Sequence, residues 1–126
     1  MPIAELPDSL MTDEVFRAGF RGIFYGGCVD HSHNGHKEGT SFRSKAHAHL
    51  VKYTRGKKRG QHTPYGGWIC YRSAKRLGSM RLMIHELAHI IVNDGHSKKF
   101  YECVRRLGGR ITSNDRRVAP KATRGV

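Results

Sequence analysis

Cysteine is scarce in this chain. Cys28, Cys70 and Cys103 are its 3 cysteines, spread through 126 residues with no Cys-x-x-Cys pair. That argues against a disulfide scaffold and for free thiols in a reducing compartment. Long apolar runs are also missing: no stretch approaches the roughly 18 residues that a membrane-spanning helix needs, so no membrane partner is expected. The first eight residues, Met1-Pro2-Ile3-Ala4-Glu5-Leu6-Pro7-Asp8, bring acids and prolines where a secretory signal would bring a positive start and an apolar core. A cytoplasmic location is the expectation.

Negative charge is the third shortage. Lys and Arg number 23 against 10 Asp and Glu, a net charge of +13 with neutral His, and the basic residues run from Arg17 to Arg124. A field of that sign favours nucleic acid or another polyanion as neighbour, the bland alternative being solubility alone. No helix-turn-helix, RNA-recognition or zinc-finger signature accompanies it. At this length the chain is one domain, read here as a unit over 1–111 followed by a basic flexible tail over 112–126.

What is present centres on Arg81 to Val92, an apolar run interrupted by two histidines and a glutamate. Residues four apart share one helical face, so His85 and His89 point the same way, while Met80, Met83, Leu87, Ile90 and Ile91 gather opposite them. Ser79 is placed to cap the start of this helix and Asn93-Asp94-Gly95 to end it. A helix apolar nearly all round is expected to be buried, and burying two imidazoles and a carboxylate is costly unless they have partners. A metal ion would be that partner: imidazoles at i and i+4 take two sites of a tetrahedral Zn²⁺, and Glu86 can reach the attacking water without being a ligand. The alternative is a core helix whose histidines are satisfied by carbonyls.

A catalytic zinc needs a third protein ligand. His96 is the first choice, because the chain can fold back just past the helix end; Glu102 and Asp94 are the others. A second helix is expected after Gly95, capped by Ser97, carrying the stripe Phe100, Val104 and Leu107, and ended by Gly108.

Elsewhere the readings are less specific. Ser9 to Phe20 has helical character, with Thr12 as N-cap and Val15, Phe16 and Phe20 at helical spacing. Gly19, Gly22, Gly26 and Gly27 then break the pattern. Cys28 to Gly39 is turn-rich and holds His31, His33 and His36. It reads as a solvated loop, as a substrate contact, or as a second metal or nuclease centre on Asp30, His31 and His33. Phe42 to Tyr53 alternates as a strand with His47, His49, Val51 and Tyr53 on one face and Ala46, Ala48 and Leu50 on the other, the small face suited to lying against a helix. His47 and His49 are read as exposed hairpin residues, with a cleft-facing role as the alternative. Thr54 to Gln61 is a basic, Gly-bounded loop in which Arg55, Lys57, Lys58 and Arg59 are candidates for phosphate contact. Trp68 to Tyr71 is a short strand that can pair with the earlier one, and Cys70 reads as a packed thiol.

His85-Glu86-Leu87-Ala88-His89, followed by Gly95-His96-Ser97 and Phe100, resembles the SprT/Spartan-like minimal zinc metalloproteases, whose motif is His-Glu-x-x-His and then Gly/Asn-His-x-x-x-Phe/Trp. The likeness spans roughly 66–109, and the small basic chain is similar to phage-encoded versions. The resemblance implies an α+β, zincin-like fold: an N-terminal helix, a short antiparallel sheet or hairpin, a central zinc-binding helix and a following helix. It implies His85, His89 and His96 as zinc ligands, Glu86 as catalytic base, and hydrolysis of peptide bonds in proteins associated with nucleic acid. Tyr101, His47 and His49 are candidates for substrate or oxyanion contact. Two other classes stay open: a non-catalytic zinc-containing nucleic-acid-binding module, and a His-rich metal-dependent nuclease.

Overall fold

Alternation explains the sheet. In a computed structural model, which describes residues 3–30 and 45–110, four short strands form one sheet in the order β1-β2-β4-β3. They are β1 (Ile3–Ala4), β2 (Gly22–Tyr25), β3 (Ala46–Ala48) and β4 (Trp68–Tyr71). The registers place Ile23 beside Ile69, Tyr25 beside Tyr71, and Ala46 and Ala48 opposite Tyr71 and Ile69. Because side chains alternate along a strand, one face collects these apolar residues and the other collects Phe24, His47, Trp68 and Cys70.

The first face meets the helices. Helix α2 (Met80–Val92) buries Met83, Ile84, Leu87, Ala88 and Ile90, and α3 (Lys98–Arg106) buries Phe100, Tyr101, Cys103 and Val104, in one core with Ile23, Ala46, Ile69 and Tyr71. The alanines of β3 let α2 come close, as their size predicts. Both helix starts are built as the sequence indicates: Ser79 Oγ accepts from Leu82 N at 3.2 Å, and Ser97 Oγ from Phe100 N at 3.3 Å. Asn93 ends α2 in the left-handed conformation at φ 52. A third helix, α1 (Asp13–Arg17), is capped by Thr12, whose hydroxyl accepts from Val15 N at 3.4 Å, and an Arg106–Glu14 ion pair ties it to α3.

Several expectations are corrected. The helix read over Ser9 to Phe20 is a 3₁₀ turn at Asp8–Leu10 followed by the five residues of α1, and Phe16 is 54% exposed. Leu10 from the turn and Val15 from α1 anchor the segment in the core, and Gly19 at φ 97 turns the chain away. Met80 is 43% exposed at the first turn of α2, before the helix reaches the sheet. The strand read to Tyr53 ends at Ala48 in its regular part, and the pairing continues irregularly through His49 N to Trp68 O and Thr63 N to Val51 O. β1 and β2 were not expected, and β2 pairs with β4 in parallel. A glycine that reads as a breaker opens that strand: Gly22 has a φ of 157, which L side chains rarely adopt, and a Cβ there would strike the Trp68 ring. Parallel pairing depends on what fills the connection between strands, which no local pattern encodes.

The crossing of the two halves is close at Gly67. Its φ is 88, and a Cβ there would strike the carbonyl of Gly19, so only glycine suits the position. The segment 31–44, with His31, His33 and His36, and the tail from 111 onward lie outside the described residues. Among the described residues, no helix is long and apolar enough to cross a membrane.

Candidate metal centre

The i, i+4 spacing does what helical geometry requires. His85 and His89 lie one turn apart on α2 with ring centroids 5.0 Å apart, and the turn Asn93-Asp94-Gly95 brings His96 back so that its ring lies 5.2 Å from His85 and 4.8 Å from His89. His96 Nε2 is 3.2 Å from His85 Nε2. One ligating atom from each of the three falls within 4.8 Å of the others, a grouping able to hold a metal ion.

The tautomer of His89 is fixed by its neighbour. His89 Nδ1 is 2.8 Å from the carbonyl oxygen of Asp94; a carbonyl can only accept, so Nδ1 carries the proton and Nε2 presents its lone pair. Burial lowers His89 to about 4, and His85 and His96 nearby add to that, while the bond to Asp94 opposes it. The imidazole is therefore neutral at neutral pH, the form that ligates a metal. Asp94 thus serves through its backbone carbonyl.

Phe100 is the floor of the cluster. It is fully buried, its ring stacks on His89 at 4.3 Å, and it meets His85 and His96 edge-on at 5.0 and 5.1 Å. The first turn of α3 thereby fixes three imidazole planes at once. The apolar stripe of α3 marks it as a core residue, without showing that it meets the histidines. The signal in the chain itself is the spacing of four between His96 and Phe100.

No family model, curated protein or solved structure matches this chain.

Glu86 is 5% exposed and, with His85, His89 and His96, lines a cavity of about 380 Å³. Its opposite wall is made of Ala46, His47, Ala48 and Leu50, so the carboxylate and the three histidines look toward strand β3. Among the described strands, β3 has β4 as its single neighbour and forms the sheet edge. Tyr71 reaches toward the same region from β4: its buried hydroxyl has no hydrogen-bond partner among the described residues, and burial first, then the Glu86 carboxylate, push its ionisation above the usual range.

The remaining predicted residues are distributed as follows. Glu102 is exposed on the outer side of α3, away from the cluster that His96 completes. Tyr101 is buried with its ring 6.5 Å from that of His96. His47 and His49 are not exposed hairpin residues: His49 is 8% exposed, and both Nε2 atoms turn to Cys28 Sγ, at 3.2 and 3.4 Å. The alternation that assigned them to one face also carries them away from α2. Arg55, Lys57, Lys58 and Arg59 are all exposed on a loop closed by Tyr53 N to Gln61 O and Gly60 N to Tyr53 O, with Lys58 Nζ 5.6 Å above the Tyr53 ring.

Proposed function

We propose that this chain is a zinc-dependent metallopeptidase of the His-Glu-x-x-His type, with a zincin-like layout and with nucleic-acid-associated proteins as substrates. The observation that carries the reading is the convergence of His85, His89 and His96 in one cavity with the buried carboxylate of Glu86. The three imidazoles would hold the ion, leaving a fourth position for water or substrate. Bound there, zinc supplies Lewis acidity to the scissile carbonyl and acidifies the attacking water.

The chain's own residues do the rest. Glu86 accepts the proton of the attacking water on its carboxylate and returns it to the leaving amine. Edge strand β3, forming the far wall of the cavity, holds an extended peptide by main-chain pairing, so that sequence preference comes from alternate side chains. Tyr101, beside His96, is the proposed donor to the developing oxyanion. The net charge of +13 and the exposed cations Arg55, Lys57, Lys58 and Arg59 favour substrates carried on a polyanion.

The test is zinc content and cleavage of a panel of basic and DNA-bound proteins by wild type, Glu86→Gln and His89→Ala. Zinc in wild type and Glu86→Gln, less in His89→Ala, and cleavage by wild type alone support the peptidase. Equal cleavage by Glu86→Gln, or zinc content indifferent to His89→Ala, sinks it. DNA cutting that depends on Asp30, His31 and His33 would replace it with the nuclease.

A further inference from the structure

The second face of the sheet carries a cluster that the peptidase reading does not use. Cys28 follows β2, His47 lies in β3, His49 just after it, and Cys70 in β4, where His47 and Cys70 are direct partners in the antiparallel register. Cys28 Sγ lies 3.2 Å from His47 Nε2 and 3.4 Å from His49 Nε2, and the two Nε2 atoms are 3.2 Å apart. With Cys70 Sγ included, all four atoms fall within 4.8 Å of one another. We infer that Cys28, His47, His49 and Cys70 form a second metal site, a closed tetrahedral Cys₂His₂ zinc site that braces the sheet.

Bond lengths decide between one ion and something larger. Zinc bonds of about 2.3 Å to sulfur and about 2.0 to 2.1 Å to nitrogen put neighbouring ligand atoms of a tetrahedron about 3.3 to 3.6 Å apart, and two sulfurs slightly farther. The separations among Cys28 Sγ, His47 Nε2 and His49 Nε2, 3.2 to 3.4 Å, lie close to these, and Cys70 Sγ falls within 4.8 Å of all three. A cluster of two irons bound by the same residue types would spread the cysteine pair from the histidine pair. Two thiolates and two imidazoles are also the donor set that selects zinc over magnesium or calcium.

Burial and charge agree with a closed site. Cys28 and Cys70 are 3% and 0% exposed, His49 is buried, and Phe24, Val29 and Trp68 surround the thiols with apolar surface. Val29 N–H donates to Cys70 Sγ at 3.3 Å, a backbone bond that favours the thiolate. On binding Zn²⁺ the two thiols release two protons to solvent and the neutral imidazoles release none, so the filled site is neutral in its apolar setting. Four protein ligands leave no position for substrate.

The brace has a definite target. β3 contributes His47 to this site and Ala46 and Ala48 to the opposite face, where they line the cavity of the three-histidine cluster. This edge strand of three residues is held by its pairing with β4 and by its alanines against α2, and zinc would fasten it further, through His47, to β4 and to the chain leaving β2.

The experiment is metal analysis and cobalt spectroscopy of the whole chain. Wild type purified with zinc should hold about two ions, and His85→Ala/His89→Ala and Cys28→Ser/Cys70→Ser about one each. Cobalt-loaded wild type should show thiolate-to-cobalt charge-transfer absorption, kept in His85→Ala/His89→Ala because the three-histidine cluster has no sulfur, and lost in Cys28→Ser/Cys70→Ser. Should the double serine variant fail to fold, alkylation of folded wild type decides: zinc should slow modification of Cys28 and Cys70 at least tenfold. Absence of the sulfur band in cobalt-loaded wild type, or alkylation indifferent to zinc, overturns the site. Neither readout involves peptide cleavage, so failure of the peptidase reading would leave both unchanged.

Discussion

The side chain of Asn93 bonds both backbone groups of Lys52: its Oδ1 accepts from Lys52 N at 2.8 Å, and its Nδ2 donates to Lys52 O at 3.1 Å. The residue that ends the histidine helix thus also anchors the base of the basic loop. Asn93 performs two separable tasks, a left-handed cap and a pair of side-chain bonds. Asn93→Gly keeps the first and loses the second, and is expected to cost about 1 to 2 kcal/mol, the net worth of two such bonds. Asn93→Ala loses both and should cost about 1 kcal/mol more. Denaturant titration of the pair, zinc-loaded, checks the order; equal stabilities would disprove it.

Phe100 touches all three histidines without being able to ligate. Phe100→Leu preserves an apolar core residue, so metal-free stability should fall by only about 1 kcal/mol. Loss of the flat floor should loosen the imidazoles and weaken zinc at this cluster by about 10- to 100-fold, the scale for outer-shell partners of a metal. Competition with a chelator measures the second effect, and thermal melting of the stripped protein the first. A purely structural role would lower stability and leave zinc affinity alone.

Tyr71 buries a hydroxyl that has no hydrogen-bond partner among the described residues. Tyr71→Phe removes an unsatisfied polar group and keeps the ring, so stability should rise by about 1 kcal/mol. The alkaline limb should change as well. Burial and Glu86 hold the native phenol protonated above its ordinary range, so the unfolded chain loses its proton first, at about pH 10. Between that pH and the native value the unfolded state binds fewer protons, and stability falls as pH rises. The phenylalanine variant should lack this part of the alkaline loss, which urea titrations across pH 8 to about 11 would reveal.

Arg55, Lys57, Lys58 and Arg59 project from a loop closed by backbone bonds. Changing all four to Ser should weaken DNA binding and lower the slope of log K against log salt by up to about 3.6, at about 0.9 for each of four lost phosphate contacts. Zinc content should stay as in wild type. A salt slope unchanged by the four substitutions would move any polyanion contact elsewhere on the surface.

How much of this was legible in the sequence depended on the range of the interaction. Residues within one or two turns of each other announced themselves: His85, Glu86 and His89 on one helix, Ser79 and Ser97 as caps, Asn93 as the stop, and His96 as the residue that the stop returns to the cluster. Helical periodicity and capping chemistry are local, and the chain carries them without its fold. Trp68 to Tyr71 was equally plain, as a β-branched and aromatic run opened by two glycines. Only tertiary structure decided the parallel partnership of β2 with β4 and the edge position of β3, because strand pairing joins distant residues through backbone groups that every sequence has. It also decided the fate of His47 and His49. Alternation put them on one face and suited the alanine face to a helix, as found; what no local pattern showed is that Cys28 and Cys70 arrive on the histidine face once Ile23, Ile69 and Tyr71 claim the core side.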